Sequence, residues 1–147
     1  MKKDAEAKRV VLVVDDEERV RKSLAQYLGE EGFLVLEATD TQGADDALAR
    51  QGGSVDLMLI DVRMPGEDGL AYLKRCGDLT TRVPVIMMSG HGTIELAVEA
   101  VRHGAFDFLE KGFTPERLTL TVERALEMNA LKRQNRVLRE ERGPLYQ

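Results

Sequence analysis

The chain has 147 residues, 43% hydrophobic and 32% charged, with 21 Lys and Arg against 26 Asp and Glu for a formal charge of −5. That length fits one domain with a short extension, and the composition is that of a chain that buries a core rather than a disordered one. One cysteine, Cys76, and two histidines, His91 and His103, exclude an internal disulfide, a multi-cysteine zinc site and a His-rich metal site.

Strand and helix patterns alternate five times. Val10–Val14 is a β-branched run expected to form a buried strand. Val20, Leu24, Tyr27 and Leu28 follow at helical spacing, with Gly29 and Gly32 expected to end that helix. Phe33–Leu36 is the second predicted strand. Asp40 or Thr41 can cap a helix carrying Ala44, Ala47 and Leu48, closed by Gly52-Gly53. Leu57–Ile60 is the third strand, followed by a Met64-Pro65-Gly66 turn and a short helix with Leu70 and Leu73 after Gly69. Val83–Met88 is the fourth strand, with Pro84 tolerable near its start. Ile94, Ala97, Val98 and Val101 share a helix face that ends at Gly104, and Phe106–Leu109 is the fifth strand. Thr114-Pro115-Glu116 combines a cap, a proline at the first helical position and an acid in the first turn. The helix it starts meets no breaker until Gly143-Pro144. Five such units with short connections imply a parallel sheet with helices on both faces, and its ligand site lies at the carboxyl ends of the strands.

Those ends carry the chemistry. Strand one runs into Asp15-Asp16, strand three into Asp61, strand four into Ser89 and strand five into Glu110-Lys111. Taken singly, Asp15 or Asp16 reads as a helix cap, Asp61 and Ser89 as turn residues, and Lys111 as a solvated cation. Taken together, they put three carboxylates, a hydroxyl and an ammonium on one sheet edge. Clustered carboxylates repel unless a hard cation neutralises them, and an all-oxygen site suits Mg2+. One carboxylate can then serve as nucleophile toward a phosphoryl group, with Lys111 and Ser89 on the phosphoryl oxygens.

The segments Val11–Glu17 (VLVVDDE), Leu59–Gly69 (LIDVRMPGEDG), Val85–Gly92 (VIMMSGHG) and Gly104–Lys111 (GAFDFLEK) together resemble a response-regulator receiver domain of two-component signalling. The resemblance implies a flavodoxin-like α/β fold, a doubly wound five-stranded parallel sheet of order 2-1-3-4-5, here with an extended C-terminal helix. It makes Asp61 the phosphoacceptor and Asp16 a direct Mg2+ ligand. Asp15 acts through water, and the backbone carbonyl of Arg63 completes the protein ligands. Ser89 becomes the switch hydroxyl, Lys111 the phosphate-pairing lysine and Phe108 the switch aromatic. The implied donor is a sensor histidine kinase, and the chain is a phosphoacceptor that assists its own phosphotransfer and dephosphorylation, not an enzyme. The family usually has a proline after the lysine, and here Gly112 stands there. A proline at 112 is therefore expected to fix the loop and strengthen the response.

The wording is most similar to receivers of nitrogen-regulation-type, sigma-54-dependent transcription activators, in which an ATPase and a helix-turn-helix follow. No P-loop motif occurs before Gln147, so this segment is expected to contact no nucleic acid and to stop before an output domain that controls transcription. The expected divisions are a tail over 1–8, the receiver over 9–127 and a helical linker over 128–147. Residues 1–127 carry −8 and 128–147 carry +3. Met128, Leu131, Asn135 and Leu138 step by 3, 4 and 3 residues, a coiled-coil seam expected to pair two chains in a homodimer. With no apolar run of ~18 residues and no leader pattern after Met1, the expected location is cytoplasmic, away from membranes. Other readings fit less well. A phosphatase with a D-x-D nucleophile needs a second acid that Asp61-Val62-Arg63 lacks, and the acidic loop Asp15–Glu18 repels a flavin phosphate. A receiver serving only as a protein-binding scaffold is kept open by Gly112 alone.

Overall fold

A computed structural model describes residues 8–142, with side chains as far as residue 135. Five parallel strands form one sheet in the order β2-β1-β3-β4-β5: β1 Val10–Val14, β2 Leu34–Ala38, β3 Leu57–Asp61, β4 Val85–Ser89 and β5 Asp107–Glu110. Between and after them run α1 Glu18–Glu30, α2 Thr41–Gln51, α3 Gly69–Arg75, α4 Ile94–Arg102 and α5 Pro115–Arg142. A single 3-10 segment, Gly77–Thr81, follows α3.

Every residue of β1, β3 and β4 is buried, as continuous apolar runs require when helices cover both faces. Alternation along the strands divides the core in two. Leu12, Val14, Met58, Ile60, Val85 and Met87 face Ala44 and Ala47 of α2, Tyr72 and Leu73 of α3 and Ala100 of α4. Val11, Val13, Leu57, Leu59, Ile86 and Met88 face Leu24 and Leu28 of α1 and Leu118, Val122 and Ala125 of α5. Each such leucine or isoleucine contributes about 1.5–3 kcal/mol by leaving water, so both layers are firmly held.

The chain-order prediction stands, with shifted boundaries. Strands β2, β4 and β5 begin one or two residues later than expected, because Phe33, Pro84 and Phe106 enter the sheet through loops. Gly29 does not end α1. The helix passes through it to Glu30, and the left-handed turn falls at Gly32, where φ is +101°. Asp40 rather than Thr41 caps α2, accepting from the Gly43 N–H at 2.8 Å. Asp68 caps α3, Thr93 caps α4, and Thr114 accepts from the Arg117 N–H at the start of α5.

Candidate phosphoacceptor and metal site

The β1–β3 register places Val14 beside Ile60, so the residues that follow each strand meet at one edge. Asp15 leaves β1 fully buried, and its N–H still donates to Ala38 O of β2 at 3.0 Å. Neither Asp15 nor Asp16 caps α1. Glu17 occupies the cap position without a side-chain bond, and Asp15 Oδ1 accepts from the Glu17 N–H at 2.9 Å. Asp16 is exposed. Asp61 ends β3 at 2% exposure, with Oδ1 facing the Arg63 N–H at 3.3 Å. One carboxylate oxygen from each of Asp15, Asp16 and Asp61 lies within 4.8 Å of the others. Arg63 borders the same cleft as Asp16, together with Val62, Met64 and Pro65.

Lys111 crosses this cluster from the end of β5. Its Nζ lies 3.1 Å from Asp61 Oδ2, 3.1 Å from Asp15 Oδ2 and 2.9 Å from Glu17 Oε1. Burial works against the ammonium charge, but Glu17, Asp61 and Asp15 together hold its pKa well above the ordinary lysine range. Asp61 moves the other way. Burial and then the Asp15 charge push its carboxyl up to about 6, against the pull of Lys111. Asp15 Oδ2 is buried and accepts no hydrogen bond, leaving Lys111 as its one close ion partner among the described residues. A carboxylate trio with one ammonium to share among the described residues is short of positive charge. Three oxygen donors without nitrogen or sulfur fit a hard divalent cation, so the cluster can bind a metal.

Ser89 is fully buried at the end of β4, its Oγ accepting from the His91 N–H at 3.1 Å. Its carbonyl accepts from the Lys111 N–H at 2.7 Å, which ties the two loops together. Phe108 on β5 packs against the α2–α4 side of the core. Its ring presses on the loop after Ser89, where a Cβ added to Gly92 would stand 2.7 Å from Phe108 Cε1. Beside it, Ile94, Val98 and Val101 leave an apolar stripe on α4 at 80%, 51% and 54% exposure.

Gly112 reverses one expectation. No peptide bond among the described residues is cis, and Gly112 adopts φ +99°. Proline is locked near φ −65°, so it cannot replace glycine in this loop without rebuilding it. Gly112→Pro is therefore expected to lower thermal stability and weaken the response to a beryllofluoride mimic, and Gly112→Ala to cost about 1 kcal/mol. A melting temperature equal to the parent's in both variants would contradict this loop geometry.

Two residues in this network carried no role in the sequence reading. Glu17 holds Lys111, and its only sequence signal is a third acid directly after Asp15-Asp16. Arg21 is buried against Asp15 and Glu37, and its signal was available: Arg21, Leu24 and Leu28 share one helix face, so a cation stands on an apolar stripe. Of the predicted linker residues, Met128 and Leu131 are 46% and 53% exposed on α5 and Asn135 is exposed. The side chain of Leu138 lies outside the described residues.

A model of the response regulator receiver domain matches residues 11–123. The C4-dicarboxylate transport transcriptional regulatory protein DctD of Pseudomonas aeruginosa is 40% identical over 134 residues, covering 91% of this chain and 29% of that protein. Crystalline NtrX from Brucella abortus, in complex with ADP, superposes with a TM-score of 0.83 at 41% identity, over 90% of this chain and 30% of that one. The solution structure of the beryllofluoride-activated NtrC4 receiver domain dimer superposes with a TM-score of 0.75 at 36% identity, over 82% of this chain and 98% of that one. The chain spans from about a quarter to just over half the length of the curated relatives it matches. Among the described residues, no helix is long and apolar enough to cross a membrane.

Proposed function

This chain belongs to the response regulator receiver family, homologous to transcriptional regulators, and from that premise we propose that Asp61 accepts a phosphoryl group from a sensor histidine kinase to control an output, transcription being the one its relatives' names point to. What supports the reading most is one arrangement: a buried Asp61 carboxylate, 3.1 Å from Lys111 and grouped with Asp15 and Asp16.

Burial and the Asp15 charge push the Asp61 carboxyl up, while Lys111 at 3.1 Å favours the ionised form that serves as the nucleophile. A carboxylate oxygen attacks phosphorus as the P–N bond of the donor phosphohistidine breaks, and the imidazole leaves with the bonding pair and is protonated by solvent. Asp16, Asp61, the Arg63 carbonyl and, less directly, Asp15 would hold Mg2+, which when bound would supply positive charge to offset the negative charge gathering on the phosphoryl oxygens. Lys111 turns its ammonium from the carboxylates to the new phosphoryl group, and Ser89 Oγ gives up the His91 N–H to donate to it. Ser89 moves toward the phosphoryl group, and Phe108, already packed on the loop at Gly92, follows into the space. The exposed stripe of Ile94, Val98 and Val101 moves with that loop, so a partner bound there reads the phosphorylation state. Hydrolysis of the acyl phosphate, assisted by the same groups, resets the switch.

The test is intact-mass analysis after incubation with acetyl phosphate. One added phosphoryl group with Mg2+ and none with EDTA is the expected result. Uptake that is insensitive to EDTA overturns the metal-assisted reading.

The divisions proposed are a tail over 1–8, the receiver over 9–127 and a linker over 128–147 that pairs two receivers through Met128, Leu131, Asn135 and Leu138. Half-exposed Met128 and Leu131 on a helix that outruns the sheet support it, since so short a helical extension needs a partner surface to persist. The full chain is expected to sediment as a dimer at tens of micromolar, and M128E/L131E as a monomer. Identical sedimentation of the two would refute the linker seam.

A further inference from the structure

Arg21 is the one buried cation among the described residues, at 7% exposure on the apolar face of α1. Leucine at that position would extend the Leu24–Leu28 stripe without desolvating a charge. The guanidinium instead spends its donors on two neighbouring strands. Nη1 donates to the Asp15 carbonyl at 3.1 Å, and Nε donates to Glu37 Oε1 of β2 at 3.0 Å. Lys22 also reaches Glu37, at 3.2 Å, but from the exposed side and without touching Asp15.

The Asp15 bonds give this clamp its consequence. The Asp15 N–H is held by Ala38 O, Oδ1 by the Glu17 N–H and the carbonyl by Arg21. The carbonyl belongs to the peptide that joins Asp15 to Asp16. Fixing that peptide plane fixes the direction in which Asp16, exposed in the cleft, leaves the backbone. The planar fork suits this task, because it meets a carboxylate and a carbonyl at once with little freedom left to lose.

We infer that Arg21 is a positioning residue for the acidic site: its bridge from Glu37 to the Asp15 carbonyl aims the Asp15-Asp16 pair at Asp61 and so sets the affinity for a divalent cation. The inference rests on the reading of Asp15, Asp16 and Asp61 as a Mg2+ site. Its sign is distinctive. Arg21 is positive, and by charge alone its removal strengthens cation binding. A positioning role predicts weaker binding, and a role confined to packing predicts lower stability with affinity unchanged.

The experiment titrates Mg2+ into the full chain at constant ionic strength, with the dissociation constant read from amide NMR shifts and urea stability measured separately in EDTA. Arg21→Met is expected to weaken Mg2+ binding roughly tenfold or more, as loss of a group supporting metal ligands does. Arg21→Lys, which keeps the charge but not the fork, is expected to fall between that variant and the parent. Lys22→Met, which loses a Glu37 partner only, is expected to bind as the parent does. Parent-like or tighter binding in Arg21→Met overturns the inference. Should that variant not fold, Arg21→Lys decides, and parent-like binding there overturns it equally. Absence of Mg2+ binding by the parent, with Asp16→Ala as the ligand-loss reference, would instead bring down the metal reading itself.

Discussion

Asp61→Asn is expected to abolish phosphoryl uptake from acetyl phosphate while raising the melting temperature of the metal-free protein at pH 7. The first effect follows from replacing the nucleophilic carboxylate at the end of β3 with a neutral amide. The second follows from electrostatics. Burial and the Asp15 charge raise the Asp61 carboxyl from the ordinary 3.8 to about 6. The folded state then binds more protons than the unfolded one between those values, so this group's contribution to stability falls as pH rises through that window. At pH 7 the ionised carboxylate is a net cost, and neutral asparagine relieves it. Measuring both quantities on one preparation separates lost chemistry from lost fold. Stoichiometric phosphoryl label in Asp61→Asn would move the acceptor elsewhere, and an unchanged or lower melting temperature in EDTA would show that Lys111 compensates the crowded carboxylates fully.

Gly69→Ala is expected to be the most damaging small substitution near the site. Gly69 is the first residue of α3, and its N–H donates to Val62 O at 2.7 Å. A Cβ there runs into the Asp61 carbonyl oxygen and stands 3.0 Å from Ile60 Cγ2. Neither obstacle is the free end of a flexible side chain, so the backbone of β3 has to yield. Overpacking of this kind costs about 1–3 kcal/mol, more than the ~1 kcal/mol that alanine returns in helix propensity. The variant should unfold at lower urea and, because Asp61 itself is pushed, take up phosphoryl groups more slowly than its loss of stability explains. Equal or greater stability in urea would show that α3 can shift without disturbing β3.

Both predictions concern features of different legibility. Asp61 could be singled out from the sequence because an acid directly after an apolar run sits at a strand's carboxyl end wherever that strand lies. The same holds for Asp15, Asp16, Ser89 and Lys111, and for caps such as Thr114, whose bond reaches only Arg117. Gly69 could be read only as the residue before a short helix, since the atom it must avoid belongs to Asp61 across a loop. The proline expected to help at 112 came from the family's usual pattern, and only the backbone angle shows that this loop holds a conformation open to glycine and closed to proline.

What the sequence by itself determined were the properties that short-range periodicity and residue chemistry carry: five buried or half-buried strands, the helices between them, and the acids and lysine at one edge. The strand order 2-1-3-4-5 came from family resemblance, because apolar runs do not state which neighbour they pair with. The tertiary structure decided which charges meet. Lys111 finds Glu17 and Asp15 across more than 90 residues of chain, and Arg21 finds Glu37. Such meetings follow from which strands lie side by side and how far each runs before its loop turns. A shift of one residue in either redirects a side chain to the opposite face, so the pairing of distant charges belongs to the packed sheet and to no local stretch of sequence.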